Sequence, residues 1–230
     1  PADLYVYDLD GVITTRDTFV ELLLARLRAS RLRYARSLPL IAAWAASRTT
    51  SSRSALAQRI TTVALRGLSE EAYAQLAREF GARVGADPSW IRESTVQRIR
   101  RQYESGSRVV IATATEQRLA ESLLRSAGVP YHLLCASLIA ATPNGVRFMD
   151  HRMGQRKADA LTELGVPMDT AEFATDSAAD LPTALLAKRL VLIGASPRTR
   201  ERFAERGLSF ELGPEGCAPA LPQAGETALP

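Results

Sequence analysis

Two carboxylates stand one residue apart at the end of a short apolar run, in Leu4-Tyr5-Val6-Tyr7-Asp8-Leu9-Asp10-Gly11-Val12. The alternating Tyr and Val up to residue 7 predict a buried strand with Asp8 at its carboxyl end. Open α/β sheets hold their ligands there. Asp8 and Asp10 repel each other unless a cation lies between them. A hard cation such as Mg2+ meets that need, held by one or two carboxylates together with substrate phosphate. Gly11 lets the backbone turn sharply and brings N–H groups near a bound anion. An acidic turn after an edge strand would read the same in isolation, so the rest of the chain must supply the remaining parts.

Three further places put polar side chains at predicted strand ends or helix starts. Thr113 follows the apolar run Arg108-Val109-Val110-Ile111-Ala112. Lys157 opens a helix predicted from Gln155 to Leu164. Asp176 and Asp180 follow a strand from Ala171 to Thr175. Each has an ordinary structural reading: Thr113 as a helix N-cap, Lys157 as a solvated charge, Asp176 and Asp180 as caps favoured by the helix dipole. The chain has 29 Lys and Arg, of which only Lys157 and Lys188 are lysine, so a lysine is a minority choice. Arg156 competes for the same role.

The elements that must position these groups alternate. After the first strand come four helices without a strand pattern from 15 to 85. Thr18 and Glu21 form a capping box, with Phe19, Leu22, Leu23 and Leu27 on one face. A second helix runs from Tyr34 to Trp44. A third is capped by Ser52, carries Leu56, Ile60 and Val63, and stops at Gly67. A fourth runs from Glu70 to Phe80 and closes at Gly81. Asp87-Pro88 then starts a helix ending near Gly106. Strands follow at 108–112, 133–140, 146–149, 171–175 and 189–194, with helices at 116–127, 155–164, from Asp176–Asp180 onward, and at 197–206. Strand–helix alternation means a doubly wound, three-layer α/β fold around a parallel sheet. The core is expected at 1–14 and 87–212, with a helical insert at 15–86. The tail from 213 to 230 is rich in Pro, Gly and Ala and carries no core.

Composition bounds the rest. The 230 residues are 46% hydrophobic and 23% charged, as in soluble globular chains. No apolar run reaches a membrane span, and no signal pattern opens the chain. Cys135 and Cys217 lie far apart, which favours a reduced, cytoplasmic setting. Basic residues are scattered without aromatic interleaving, which argues against nucleic acid.

The four motifs in order resemble the haloacid dehalogenase-like (HAD) hydrolases, mostly Mg2+-dependent phosphatases. Asp8-Leu9-Asp10-Gly11-Val12 is similar to their first motif and Thr113 to the second. Lys157 is similar to the third, and Asp176-Ser177-Ala178-Ala179-Asp180 to the fourth. The resemblance implies Asp8 as nucleophile and Asp10 as general acid and base. It implies Mg2+ on Asp8, the Asp10 main-chain carbonyl and Asp176, supported by Asp180. Thr113, Lys157 and Gly11 would meet the phosphate. Two positions depart from the usual pattern: Val12, often Thr, and Thr175, commonly Gly and expected to crowd the metal loop.

The insert resembles the type-1 cap of subfamily IB, the phosphoserine phosphatase-like group. That group implies a substrate-amine reader at Asp17 and a carboxylate reader at Arg59. Ala114-Thr115 replaces its two glycines, which argues against phosphoserine itself. The stretch from Asp17-Thr18-Phe19 to Leu38-Pro39-Leu40-Ile41 also resembles C-type phosphatidylglycerophosphatases, implying a lipid or prenyl phosphate. Membrane contact would be peripheral at most, because Arg26 to Arg36 reads as a solvated face and Leu38 to Ala46 as cap core. A monomer or homodimer is expected. A receiver domain would place its acceptor Asp on a middle strand and has no room for the insert. A dehalogenase needs no metal. A catalytically weak binding or regulatory protein on the same fold is the alternative.

Overall fold

The computed structural model describes residues 3–47 and 50–214, without the side chains of 50–55. The tail from 215 on, Cys217, and the side chain of Ser52 as a cap lie outside that description.

The strands are β1 (Leu4–Tyr7), β2 (Arg108–Glu116), β3 (Leu133–Thr142), β4 (Gly145–Asp150), β5 (Glu172–Thr175), β6 (Arg189–Leu192) and β7 (Glu211–Leu212). The helices are α1 (Thr18–Arg28), α2 (Arg31–Ala46), α3 (Thr50–Leu65), α4 (Glu70–Gly85), α5 (Glu93–Glu104), α6 (Gln117–Ser126), α7 (Gln155–Glu163), α8 (Leu181–Ala184) and α9 (Pro197–Ala204). They build one sheet of order β4-β3-β2-β1-β5-β6-β7, parallel except for β4, which returns from β3 as a hairpin.

Side-chain alternation divides the core into two clusters. Val109 and Ile111 join Tyr7 in one, while Val110 and Ala112 join Leu4 and Val6 in the other. A sheet buried on both faces gives near-continuous apolar strands of this kind. The first cluster runs on into the insert and takes in Phe19, Leu22, Leu23, Leu27 and Leu65. The stripe read from the sequence is therefore the buried face of α1.

The helix limits differ from the sequence reading for identifiable reasons. Asp17, not Thr18, caps α1: its backbone is extended and its carboxylate accepts from Val20 N at 2.9 Å. Thr18 is the first helical residue, and its hydroxyl is turned inward. Ser30 caps α2 three residues earlier than expected, and Pro39 sits inside that helix. Gly81 does not stop α4. A Cβ there would lie 2.6 Å from Leu119 O, so the missing side chain lets α4 press onto α6. Ser122 and Ser126 of α6 donate to Arg78 O (2.6 Å) and Ala82 O (2.8 Å) across that contact. Asp87-Pro88 forms a turn, and the helix begins only at Glu93. Leu38 to Ala46 is not packed core: Leu38 and Ala42 to Ala46 are exposed, and only Leu40 and Ile41 are half-buried.

Candidate active site

The strand order decides what meets at the site. β1 lies between β2 and β5, with Tyr7 opposite Ile111 on one side and Ala174 on the other. The carboxyl ends of these strands therefore converge: Asp8 and Asp10 just beyond β1, Thr113 to Glu116 in the last residues of β2, and Asp176 just beyond β5. They open onto a cleft of about 290 Å³ lined by Asp8, Asp10, Arg16, Asp17, Lys157 and Asp176, among others.

Asp8 is buried. Its main-chain N donates to Ala174 O at 2.9 Å, and its carboxylate accepts from Leu9 N at 2.8 Å. Lys157 reaches it from the first turn of α7. The lysine is 2% exposed, and its Nζ lies 3.1 Å from Asp8 Oδ1 and 2.7 Å from Asp180 Oδ1. It is a buried cation between two buried carboxylates, not a solvated charge. Burial alone would lower its pKa, but the charges of Asp180 and Asp8 outweigh burial and hold it above the ordinary lysine range. Arg156, the rival, turns away to Asp150 and Glu163.

Asp180 is oriented from a second side. Thr175 Oγ1 donates to its Oδ2 at 2.7 Å and accepts from Ser177 N at 3.1 Å. Burial would raise Asp180, but the charge of Lys157 and hydrogen bonds with Asp8, Lys157 and Thr175 keep it below the usual carboxylate range. Thr175, which the sequence suggests would crowd the loop, instead positions the carboxylate that holds the lysine.

Asp10 is gripped by hydroxyls and a main-chain donor. Its Oδ1 accepts from Thr18 N (2.8 Å), Thr18 Oγ1 (2.7 Å) and Thr14 Oγ1 (3.4 Å), and its Oδ2 from Thr115 Oγ1 (2.6 Å). The sequence alone singles out none of these three threonines as a site residue. Arg92, also missed, donates from Nε to Gly11 O at 2.9 Å and braces the turn from α5.

The fit of a divalent cation rests on Gly11 and on the donor set. Gly11 has φ +79°, and a Cβ there would run into the Asp176 carboxylate. Asp176 thus lies directly on the backbone of the Asp8–Gly11 turn. Burial, then the charge of Asp180, pushes Asp176 up to about 7. Burial also pushes Asp8 well above the usual range, against the pull of Lys157. Four carboxylates face one lysine, a charge surplus that a cation would balance. Among the described residues no three His, Cys, Asp or Glu side chains form a metal-holding group. Two carboxylates plus a main-chain carbonyl need no third, and the Asp10 carboxylate is occupied by its threonines. This oxygen set suits Mg2+.

Two expected residues, Thr113 and Arg59, sit away from the cleft. Thr113 is fully buried, and its hydroxyl accepts from Thr115 N at 3.0 Å, so it does not line the cleft. Arg59 is exposed on α3 and does not reach the cleft lining, whereas Arg16 does. Asp17 does line it. Its pKa is pushed up to about 6, first by desolvation and then by Asp10.

Comparison with known proteins adds to this geometry. The family model described as haloacid dehalogenase-like hydrolase matches residues 5–185. No curated protein sequence matches the chain. Among solved structures, a protein of unknown function from Bordetella pertussis Tohama I superposes with a TM-score of 0.70 at 21% identity, covering 92% of this chain and 99% of that one. A substrate-bound phosphoserine phosphatase gives 0.58 at 12% identity, over 88% and 90% of the two chains. A probable phosphoserine phosphatase from Vibrio cholerae gives 0.57 at 18%, over 87% of this chain and 58% of the other. At these identities the likeness speaks for the fold.

Proposed function

This chain belongs to the haloacid dehalogenase-like hydrolases, and from that premise we propose that it is a Mg2+-dependent phosphomonoesterase of the phosphoserine phosphatase-like subfamily, working through an aspartyl-phosphate on Asp8. The observation that carries the reading is Lys157, buried between Asp8 and Asp180 at the carboxyl ends of β1 and β5. An enzyme that must bring a phosphate dianion to a carboxylate needs fixed positive charge there.

Asp8, Asp176 and the main-chain carbonyl of Asp10 would hold the cation. When bound, Mg2+ supplies the charge that lets phosphate approach these carboxylates. The remaining work falls to the chain. In the first step Asp8 attacks phosphorus, the bond to the leaving oxygen breaks, and Asp10 gives that oxygen a proton. In the second step water attacks phosphorus and loses its proton to Asp10, and the bond to Asp8 breaks, releasing inorganic phosphate. Lys157 neutralises phosphate oxygens in both steps, and Thr113, buried at the end of β2, steadies that end by accepting from Thr115 N. The helical insert, 15–86, acts as the cap, and its first residues, Arg16 and Asp17, face the leaving group. Arg16, not Arg59, is the cation placed to read an anionic substituent, and Asp17 is placed to read an amine.

The substrate is a small phosphomonoester. A lipid or prenyl phosphate is the second reading, favoured by the exposed surface of α2 described next. The test is hydrolysis of para-nitrophenyl phosphate with Mg2+ or EDTA, beside Asp8→Asn. Turnover that needs metal and disappears in Asp8→Asn is expected; turnover that survives either change contradicts the proposal.

A further inference from the structure

The insert contains a surface that the reaction does not use. Between Glu21 and Glu70 the chain carries nine arginines, no lysine and no acidic residue. Within this stretch α2 stands almost clear of the fold. Among its residues only Ser37 is buried, and Arg33, Leu40 and Ile41 are half-buried. At 3.6 residues per turn these four lie on one side, towards α1 and α3. Arg31, Ala35, Leu38, Pro39, Ala42 and Ala46 occupy the opposite side, with Leu32 beside them. Leu32 is 60% exposed and Leu38 46%. The outward face is therefore apolar, and its only charges, Arg31 and Arg36, are positive.

Burying the apolar face is ordinarily what stabilises an amphipathic helix against its fold. Here that face points outward, so it is built for something other than this chain's core. A second copy is disfavoured, because a two-fold contact sets the same arginines against each other. An acidic protein surface would pair with the arginines but set its charged groups against the exposed Leu32 and Leu38. An anionic lipid surface needs only the two things present: apolar side chains to enter the headgroup region and cations to meet the phosphates. No helix among the described residues is long and apolar enough to cross a membrane, so contact would be in the plane of the interface.

We propose that α2 docks flat on an anionic bilayer through Leu32, Ala35, Leu38 and Ala42, with Arg31 and Arg36 on lipid phosphates. This goes beyond the proposed reaction and stands or falls apart from it.

The test is flotation of the full chain with phosphatidylcholine vesicles, with and without phosphatidylglycerol. Two double variants accompany it, Leu32→Asp/Leu38→Asp and Arg31→Gln/Arg36→Gln, with circular dichroism and melting curves to verify that both fold. The wild type is expected to float only with phosphatidylglycerol and to release in salt. The arginine pair should weaken binding roughly 10- to 30-fold, and the leucine pair should abolish it. No flotation, equal flotation on phosphatidylcholine, or flotation unchanged in both variants would overturn the proposal. So would a dimer seen by light scattering that the leucine pair dissociates without any vesicle binding, since a second copy would then cover the face.

Discussion

The hydroxyl of Thr115 donates to Oδ2 of Asp10 across 105 residues of sequence, at 2.6 Å. Thr18 holds the other oxygen, and the two hydroxyls lie 3.3 Å apart. The carboxylate proposed to give a proton to the leaving oxygen and take one from water is thus held from β2 and from the start of α1 together. Hydrogen bonds to a charged group contribute about 1.5–3 kcal/mol. Thr115→Val should therefore lower kcat about ten-fold or more with little change in KM, and Thr115→Ser should recover most of it. Steady-state kinetics on one phosphomonoester checks this; a change confined to KM would assign Thr115 to substrate binding.

Lys157 is the buried partner of two carboxylates, and removing one member of such a cluster is costly. Lys157→Met should destabilise the fold by about 3–5 kcal/mol and reduce turnover to background. Urea unfolding measures the first. A variant as stable as wild type would mean that the lysine is not buried between Asp8 and Asp180.

Gly11→Ala tests the proposed Mg2+ site. Alanine there must keep the left-handed backbone of Gly11, which costs about 1–2 kcal/mol, and its Cβ displaces the Asp176 carboxylate. In the wild type, Mg2+ should raise the melting temperature and EDTA should reverse the rise. In Gly11→Ala the rise should vanish at the same Mg2+ concentration. A full response would place the cation elsewhere.

Asp17 predicts a pH dependence. Desolvation in the cleft, reinforced by the charge of Asp10, pushes its carboxyl up to about 6 against an ordinary value near 4. The folded chain then holds this proton more tightly than the unfolded one, so stability falls slightly as pH rises from about 4 to about 6. The effect is small because Asp17 lines an open cleft with part of its surface still in solvent, which screens the charge. For an amine-bearing phosphomonoester such as phosphoserine, KM should fall as pH rises through about 6. It should not fall in this way for glycerol phosphate, and Asp17→Asn should flatten the difference. Matching profiles for the two substrates would remove Asp17 from recognition.

Periodicity and spacing made much of this legible. The alternation before Asp8 marks β1, and the Phe19–Leu27 stripe marks the buried face of α1, because both are local patterns. Asp8, Asp10, Lys157 and Asp176, all read from the sequence at strand ends or a helix start, line the cleft because a parallel sheet brings such ends together, whereas Thr113 does not. Features set by distant partners were not legible. Gly81 reads as a helix stop until α6 is seen against it. Thr18 reads as a cap until Asp10 is found to accept from it. Thr175 reads as an obstruction until its hydroxyl is found on Asp180. The two-residue strand β7 has no pattern of its own and pairs only because β6 offers an edge.

The most direct test of the central claim is acid quench during turnover of a phosphomonoester with Mg2+, followed by mass analysis of the peptide that contains Asp8. The account predicts one phosphoryl group on Asp8, lost on treatment with hydroxylamine and absent in Asp8→Asn. Steady turnover with no phosphoryl group on that peptide, or with one on another residue, would contradict it.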